Sequence, residues 1–104
     1  MTEVVIVSCA RSAVARGKAD GALASVHPVD LSSAVMKAAI ERAGVDPALI
    51  EDVQWGCAMP EASQGLNHAR LAWLRGGLPV ETAAATINRF CSSGLQSVAY
   101  AAQA

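Results

Sequence analysis

The 104-residue chain is predicted to be an α/β protein, on three observations. Short apolar runs alternate with helical patterns along its length, which is the signature of a mostly parallel sheet joined by crossovers. The first run, Val4 to Cys9 (VVIVSC), carries β-branched residues on both faces, as a central strand covered from two sides does. The third observation is compositional: 53% of residues are hydrophobic, 22 are alanine and only four are aromatic, so the core must be closely packed small side chains.

Val4 to Cys9 therefore reads as strand one. Arg11 to Val26 holds two glycines, three of the eight cations and no sustained period, and reads as a long loop. Asp30 is the expected cap of the first helix, in which Leu31, Ala34, Val35, Ala38 and Ala39 form an apolar stripe, Ser33, Lys37 and Glu41 face away, and Gly44 stops the run. Asp46-Pro47 repeats a start signal and opens a single turn to Ile50. Val53 to Met59 (VQWGCAM) is strand two, and Gly56 inside it predicts a close backbone approach or a bulge. Leu66 to Leu74 follows as a helix ended by Gly76-Gly77. Ala83 to Asn88 is strand three, and Cys91-Ser92-Ser93 opens a last helix with Leu95, Val98, Ala99 and Ala102 as its apolar face. That helix is still in period at Ala104, so the domain is read as partial, cut within this helix.

Composition also narrows function. Charge is balanced at −1, without a Lys/Arg run, which argues against nucleic acid and membrane surfaces as partners. No apolar stretch nears the ~20 residues that span a bilayer. The three cysteines, Cys9, Cys57 and Cys91, are odd in number and form no CxxC pair, and no secretory leader is recognisable, so a reducing cytoplasm is expected. Their wide separation carries no metal signature, and none is assigned.

Cys91 is the candidate nucleophile. A strand-to-helix junction places its sulfur beside unpaired backbone N–H groups and the positive end of a helix dipole, which favour thiolate. The same N–H groups can stabilise an oxyanion on a carbonyl under attack. A buried packing role is the competing reading. Gly94 leaves the helix face open to a substrate, Ser92 and Ser93 suit capping of the helix start, and Asn88 and Arg89 flank the turn and position it. Cys57 and Cys9 read as core, and His68 as a packing or surface residue.

The segment Asn88-Arg89-Phe90-Cys91-Ser92-Ser93-Gly94-Leu95-Gln96 resembles the nucleophile motif of the thiolases, N-R-x-C-x-S-G-L-Q. Val4 to Val7 with Cys9-Ala10-Arg11-Ser12, Asp30-Leu31, Trp55-Gly56-Cys57 and Gln64-Gly65-Leu66-Asn67-His68-Ala69-Arg70 resemble further family segments. Ser12 stands where threonine is usual. The resemblance implies the N-terminal part of a layered αβαβα fold, a mostly parallel mixed sheet with helices on both faces. It implies CoA-dependent acyl transfer through an acyl-cysteine at Cys91, either thiolysis of 3-oxoacyl-CoA in fatty-acid breakdown or the reverse Claisen condensation. CoA is then a substrate, not a resident cofactor, and Arg11, Arg16 and Lys18 are not assigned to it. The family's catalytic histidine and second cysteine match no segment here, so the chain alone is expected to be inactive and poorly soluble or oligomeric. A homodimer or homotetramer through Ala84 to Asn88 is also implied. The alternatives are a ketoacyl synthase, which shares the cysteine, and a non-catalytic α/β interaction module.

Overall fold

In the computed structural model, which describes residues 2–104, two parallel strands form the only sheet among the described residues. Strand β1 (Asp52–Gly56) pairs with β2 (Ala83–Ile87), with Asp52 opposite Ala83 and Gly56 opposite Ile87. Three helices accompany them: α1 (Pro28–Ala43), α2 (His68–Arg75) and α3 (Ser93–Gln103). Alternation along β1 sends Val53 and Trp55 to one face, where they border the buried cluster of Met36 on α1 with Ala72 and Trp73 on α2. Gly56 lies on the opposite face, against the start of α3. Helices thus cover both sides of a parallel sheet, as the α/β prediction requires.

The Val4 to Cys9 run departs from expectation. It makes no strand pairing, and Val5, Ile6 and Val7 are 66%, 83% and 69% exposed. A strand apolar on both faces needs ladder partners and two covering layers. Among the described residues β1 and β2 pair only with each other, and Cys9 is exposed instead of entering the core. Its carbonyl accepts a hydrogen bond from Arg42 Nη1 at 3.0 Å, which ties the segment to the end of α1.

Helix α1 starts earlier than predicted. His27 is its cap, accepting from Val29 N–H at Nδ1, with Pro28 at the first helical position, where a missing N–H costs nothing. Asp30, freed from capping, pairs instead with Arg75 at 2.8 Å. Both side chains are at least half exposed, and such pairs contribute little. The face α1 buries is not the alanine stripe but Ser33 and Met36. Ser33 is inside because Gly76, at the end of α2, comes so close that a Cβ there would lie 2.8 Å from Ser33 Oγ. The Asp46-Pro47 turn is as expected, with Asp46 Oδ1 accepting from Ala48 N–H.

Helix α2 begins at His68 and not at Leu66, which is left-handed at φ +58° and points to solvent. Asn67 caps it, accepting from Arg70 N–H and from Thr86 Oγ1 while its own Nδ2 donates to the Ala84 carbonyl. Arg70 reaches forward to the carbonyls of Thr82 and Val80. The α2 register is thereby locked to β2, the strand that delivers the chain to Cys91.

Candidate active site

Strand β2 ends at Ile87, and a single 3₁₀ turn, Phe90–Ser92, separates it from α3. Cys91 is therefore the middle of that turn and not the first residue of the α-helix, as expected from the sequence. It is exposed. Phe90, just before it, has φ +49°, a left-handed conformation that costs a bulky side chain about 1–3 kcal/mol and persists only where the surroundings enforce it.

Hydrogen bonds supply that enforcement. Asn88 Oδ1 accepts from Phe90 N–H at 2.9 Å. The buried Ser93 hydroxyl works both ways, accepting from Arg89 N–H at 2.9 Å and donating to the Phe90 carbonyl at 2.6 Å. Ser92 Oγ donates to the Arg89 carbonyl, and Arg89 Nη1 donates to Gln96 Oε1 one turn into α3. Asn88, Arg89, Ser92 and Ser93 thus converge on the turn that carries Cys91. Gly94 would meet nothing within 4 Å if it had a Cβ, so the surface beside the turn is open at that position. Neither the pairing of Arg89 with Gln96 nor the strain at Phe90 is legible in the sequence, because a backbone angle leaves no mark in residue order.

The remaining candidates take no part in the side-chain hydrogen bonds of this turn. Cys57 is buried, as predicted. Arg11, Arg16 and Lys18 are exposed on the loop. The apolar cleft between the start of α1 and the end of α2, lined by Val29, Leu71 and Leu74, contains none of the turn residues. No group of three or more His, Cys, Asp or Glu side chains among the described residues is placed to hold a metal ion, and no described helix is long and apolar enough to cross a membrane.

His68 is packed in, only 1% exposed, with Nε2 2.8 Å from Ser32 Oγ and Nδ1 unpartnered. Burial lowers its pKa below the ordinary 6.5, and His27 adds to the effect. The unfolded chain therefore takes up a proton at about pH 6.5 that the folded chain accepts only at lower pH. Stability is expected to be complete above that value and to fall as pH drops toward the folded pKa. Melting temperature measured from pH 7.5 to 5 checks this, and His68→Gln should flatten the acid limb.

The Cys91 turn sits in a chain whose residues 4–104 match the family model of the thiolase N-terminal domain. The chain belongs to the thiolase family. It is 52% identical to a 3-ketoacyl-CoA thiolase of Bacillus subtilis over 103 residues, 99% of this chain and 26% of that protein. It is 48% identical to an acetyl-CoA acetyltransferase of Cupriavidus necator, over 100% of this chain and 26% of the relative. A steroid 3-ketoacyl-CoA thiolase of Mycobacterium tuberculosis is 41% identical, again over the whole chain and 25% of its own length. The chain thus spans about a quarter of the length of the curated relatives it matches. Thiolase membership displaces the ketoacyl synthase alternative.

Proposed function

We propose that this chain supplies the nucleophile of a CoA-dependent thiolase, with Cys91 carrying the acyl group as a thioester. The observation that carries the reading is an exposed cysteine on a strained turn that four neighbouring side chains hold in place. In the degradative direction Cys91 gives its proton to a base and its sulfur adds to the ketone carbon of a 3-oxoacyl-CoA. The bond between the α-carbon and that ketone carbon breaks, and its electron pair leaves on acetyl-CoA as an enolate, which an acid protonates. A second CoA thiol then attacks the Cys91 thioester, giving its proton to the group that protonated the enolate, while the departing Cys91 sulfur takes its own proton back from the base. Run backwards, the steps are a Claisen condensation.

The base and acid lie outside these 104 residues in this reading. His27 is spent on the α1 cap and His68 is sealed against Ser32, so neither joins the Cys91 turn. The domain is then the first part of a longer enzyme, consistent with the quarter-length coverage of its relatives. Leu95 and Val98 on α3 support the same view, because they are 77% and 55% exposed on a face with the apolar character of an interior. We further propose cytoplasmic fatty-acid β-oxidation as the setting, and association of two copies through Ala84 to Asn88. The outer edge of β2 is closed at Ala84 by Asn67 and open beyond it among the described residues.

Mass spectrometry of the full-length protein after brief exposure to acetyl-CoA tests the reading. The expected result is one acetyl group on the peptide containing Cys91, removed by added CoA, and no turnover by the isolated 104 residues. Acetylation on another peptide, or turnover by the isolated chain, would remove Cys91 or the missing-group argument respectively.

A further inference from the structure

We infer that Gly56 is a positioning residue for the nucleophile: the absence of a side chain at the end of β1 sets the seat on which the first turn of α3, and with it Cys91, stands. The inference rests on Cys91 being the acyl-accepting group.

The geometry is unusually tight. A Cβ built on Gly56 would lie 2.5 Å from Gly94 N, 2.5 Å from Ser93 C and 2.6 Å from Ser93 O. All three are backbone atoms, which cannot swing aside as a side-chain tip can. Gly56 is not in the left-handed region, so the glycine is required by space alone. The helix that lands on it shows the matching adaptation, since the two residues α3 buries are Ser93 and Ser97, while its larger Leu95 and Val98 face outward. Small side chains on one partner and none on the other let the backbones touch.

What makes the contact functional is the position of Ser93 within it. The residue whose backbone rests on Gly56 is the one whose hydroxyl ties Arg89 N–H to the Phe90 carbonyl and holds the left-handed turn around Cys91. Moving the Ser93 backbone outward by the distance a methyl group needs pulls on both bonds at once. Rearrangement at β1 is transmitted to the sulfur through one residue, although Gly56 and Cys91 are far apart in sequence. Ile87, opposite Gly56 in the ladder, ends the strand that leads into the same turn, so the two approaches to Cys91 share one seat.

The test compares variants of the full-length protein in thiolysis of acetoacetyl-CoA and in alkylation by iodoacetamide. Gly56→Ala is expected to lower kcat at least tenfold with KM within twofold, and to slow alkylation of Cys91 at least fivefold in a folded protein. Met36→Ala, a truncation on the other face of the sheet, is expected to lower the melting temperature while keeping kcat within twofold. Ser97→Thr adds one methyl group on the buried face of α3, keeps the hydroxyl, and is expected to lower kcat about threefold without raising KM. It decides the matter if Gly56→Ala does not fold. A folded Gly56→Ala protein with parental kcat and alkylation overturns the inference, as does an equal loss of kcat in Met36→Ala or parental kcat in Ser97→Thr. Turnover that survives Cys91→Ala would instead bring down the proposed function, so the two failures are separate.

Discussion

Replacing Trp73 with alanine is expected to cost about 3–5 kcal/mol, the range for deleting a large buried aromatic side chain. A domain of this size is stabilised by only about 5–15 kcal/mol in all, so the loss is at least about a fifth of the whole. Trp73 is 2% exposed and sits where α1, α2 and the Val53 and Trp55 face of β1 meet. Its neighbours Met36 and Ala72 are too small to close the gap it would leave. The ring also uses its polar edge, donating from Nε1 to the Pro79 carbonyl at 2.7 Å and fixing the loop between α2 and β2. Urea denaturation followed by circular dichroism measures the effect, and Trp73→Phe separates the two contributions. Phenylalanine keeps most of the packing and loses the hydrogen bond, so its loss should be about 1–2 kcal/mol. A Trp73→Ala midpoint equal to that of the parent would mean that the core lies elsewhere.

The elements set by local chemistry are legible in the residues. Asp46-Pro47 announces its turn, Gly44 ends α1 in the left-handed conformation that glycine tolerates, and Gly56 signals the close approach that the structure contains. The same start rule applied to His27-Pro28 locates α1, whereas Asp30, the stronger capping type, places the start three residues too far along. Nothing local shows that Asp30 meets Arg75 forty-five positions away.

The buried faces of α1 and α3 differ from their most apolar stripes for one common reason. Periodicity ranks helix faces by apolar content, whereas here the buried faces carry Ser33 on α1 and Ser93 with Ser97 on α3. Each helix is brought in by a glycine on the opposing element, Gly76 for α1 and Gly56 for α3, and at that separation a serine fits where a leucine does not. Burial follows how near the backbones come as well as how greasy the side chains are. The Val4 to Cys9 run shows the converse, since its pattern states that it wants cover on both faces but does not supply the layers. At the candidate site, residue types pointed to Cys91 and its neighbours, while the left-handed Phe90 and the paired bonds of Ser93 exist only in three dimensions.

Cys91→Ser in the full-length protein is expected to lower acyl transfer at least a thousandfold, equivalent to about 4 kcal/mol in the activation barrier. The exchange of sulfur for oxygen changes little else. The turn is held by Asn88, Arg89, Ser92 and Ser93, none of whose hydrogen bonds involves the Cys91 side chain, and an exposed substitution of similar size normally shifts stability by no more than about 0.5 kcal/mol. Melting temperature should therefore stay within about 3 °C of the parent. Loss of rate with retained stability assigns the defect to the reacting atom, because a serine hydroxyl is a far weaker nucleophile than a thiol of the same placement. Acyl-CoA binding, measured by calorimetry, should survive, since a serine hydroxyl takes nearly the same space as the thiol. If Cys91→Ser retained more than a tenth of parental turnover, the acyl group would have to be carried by another residue, and the hydrogen bonds around this turn would serve only to start a helix.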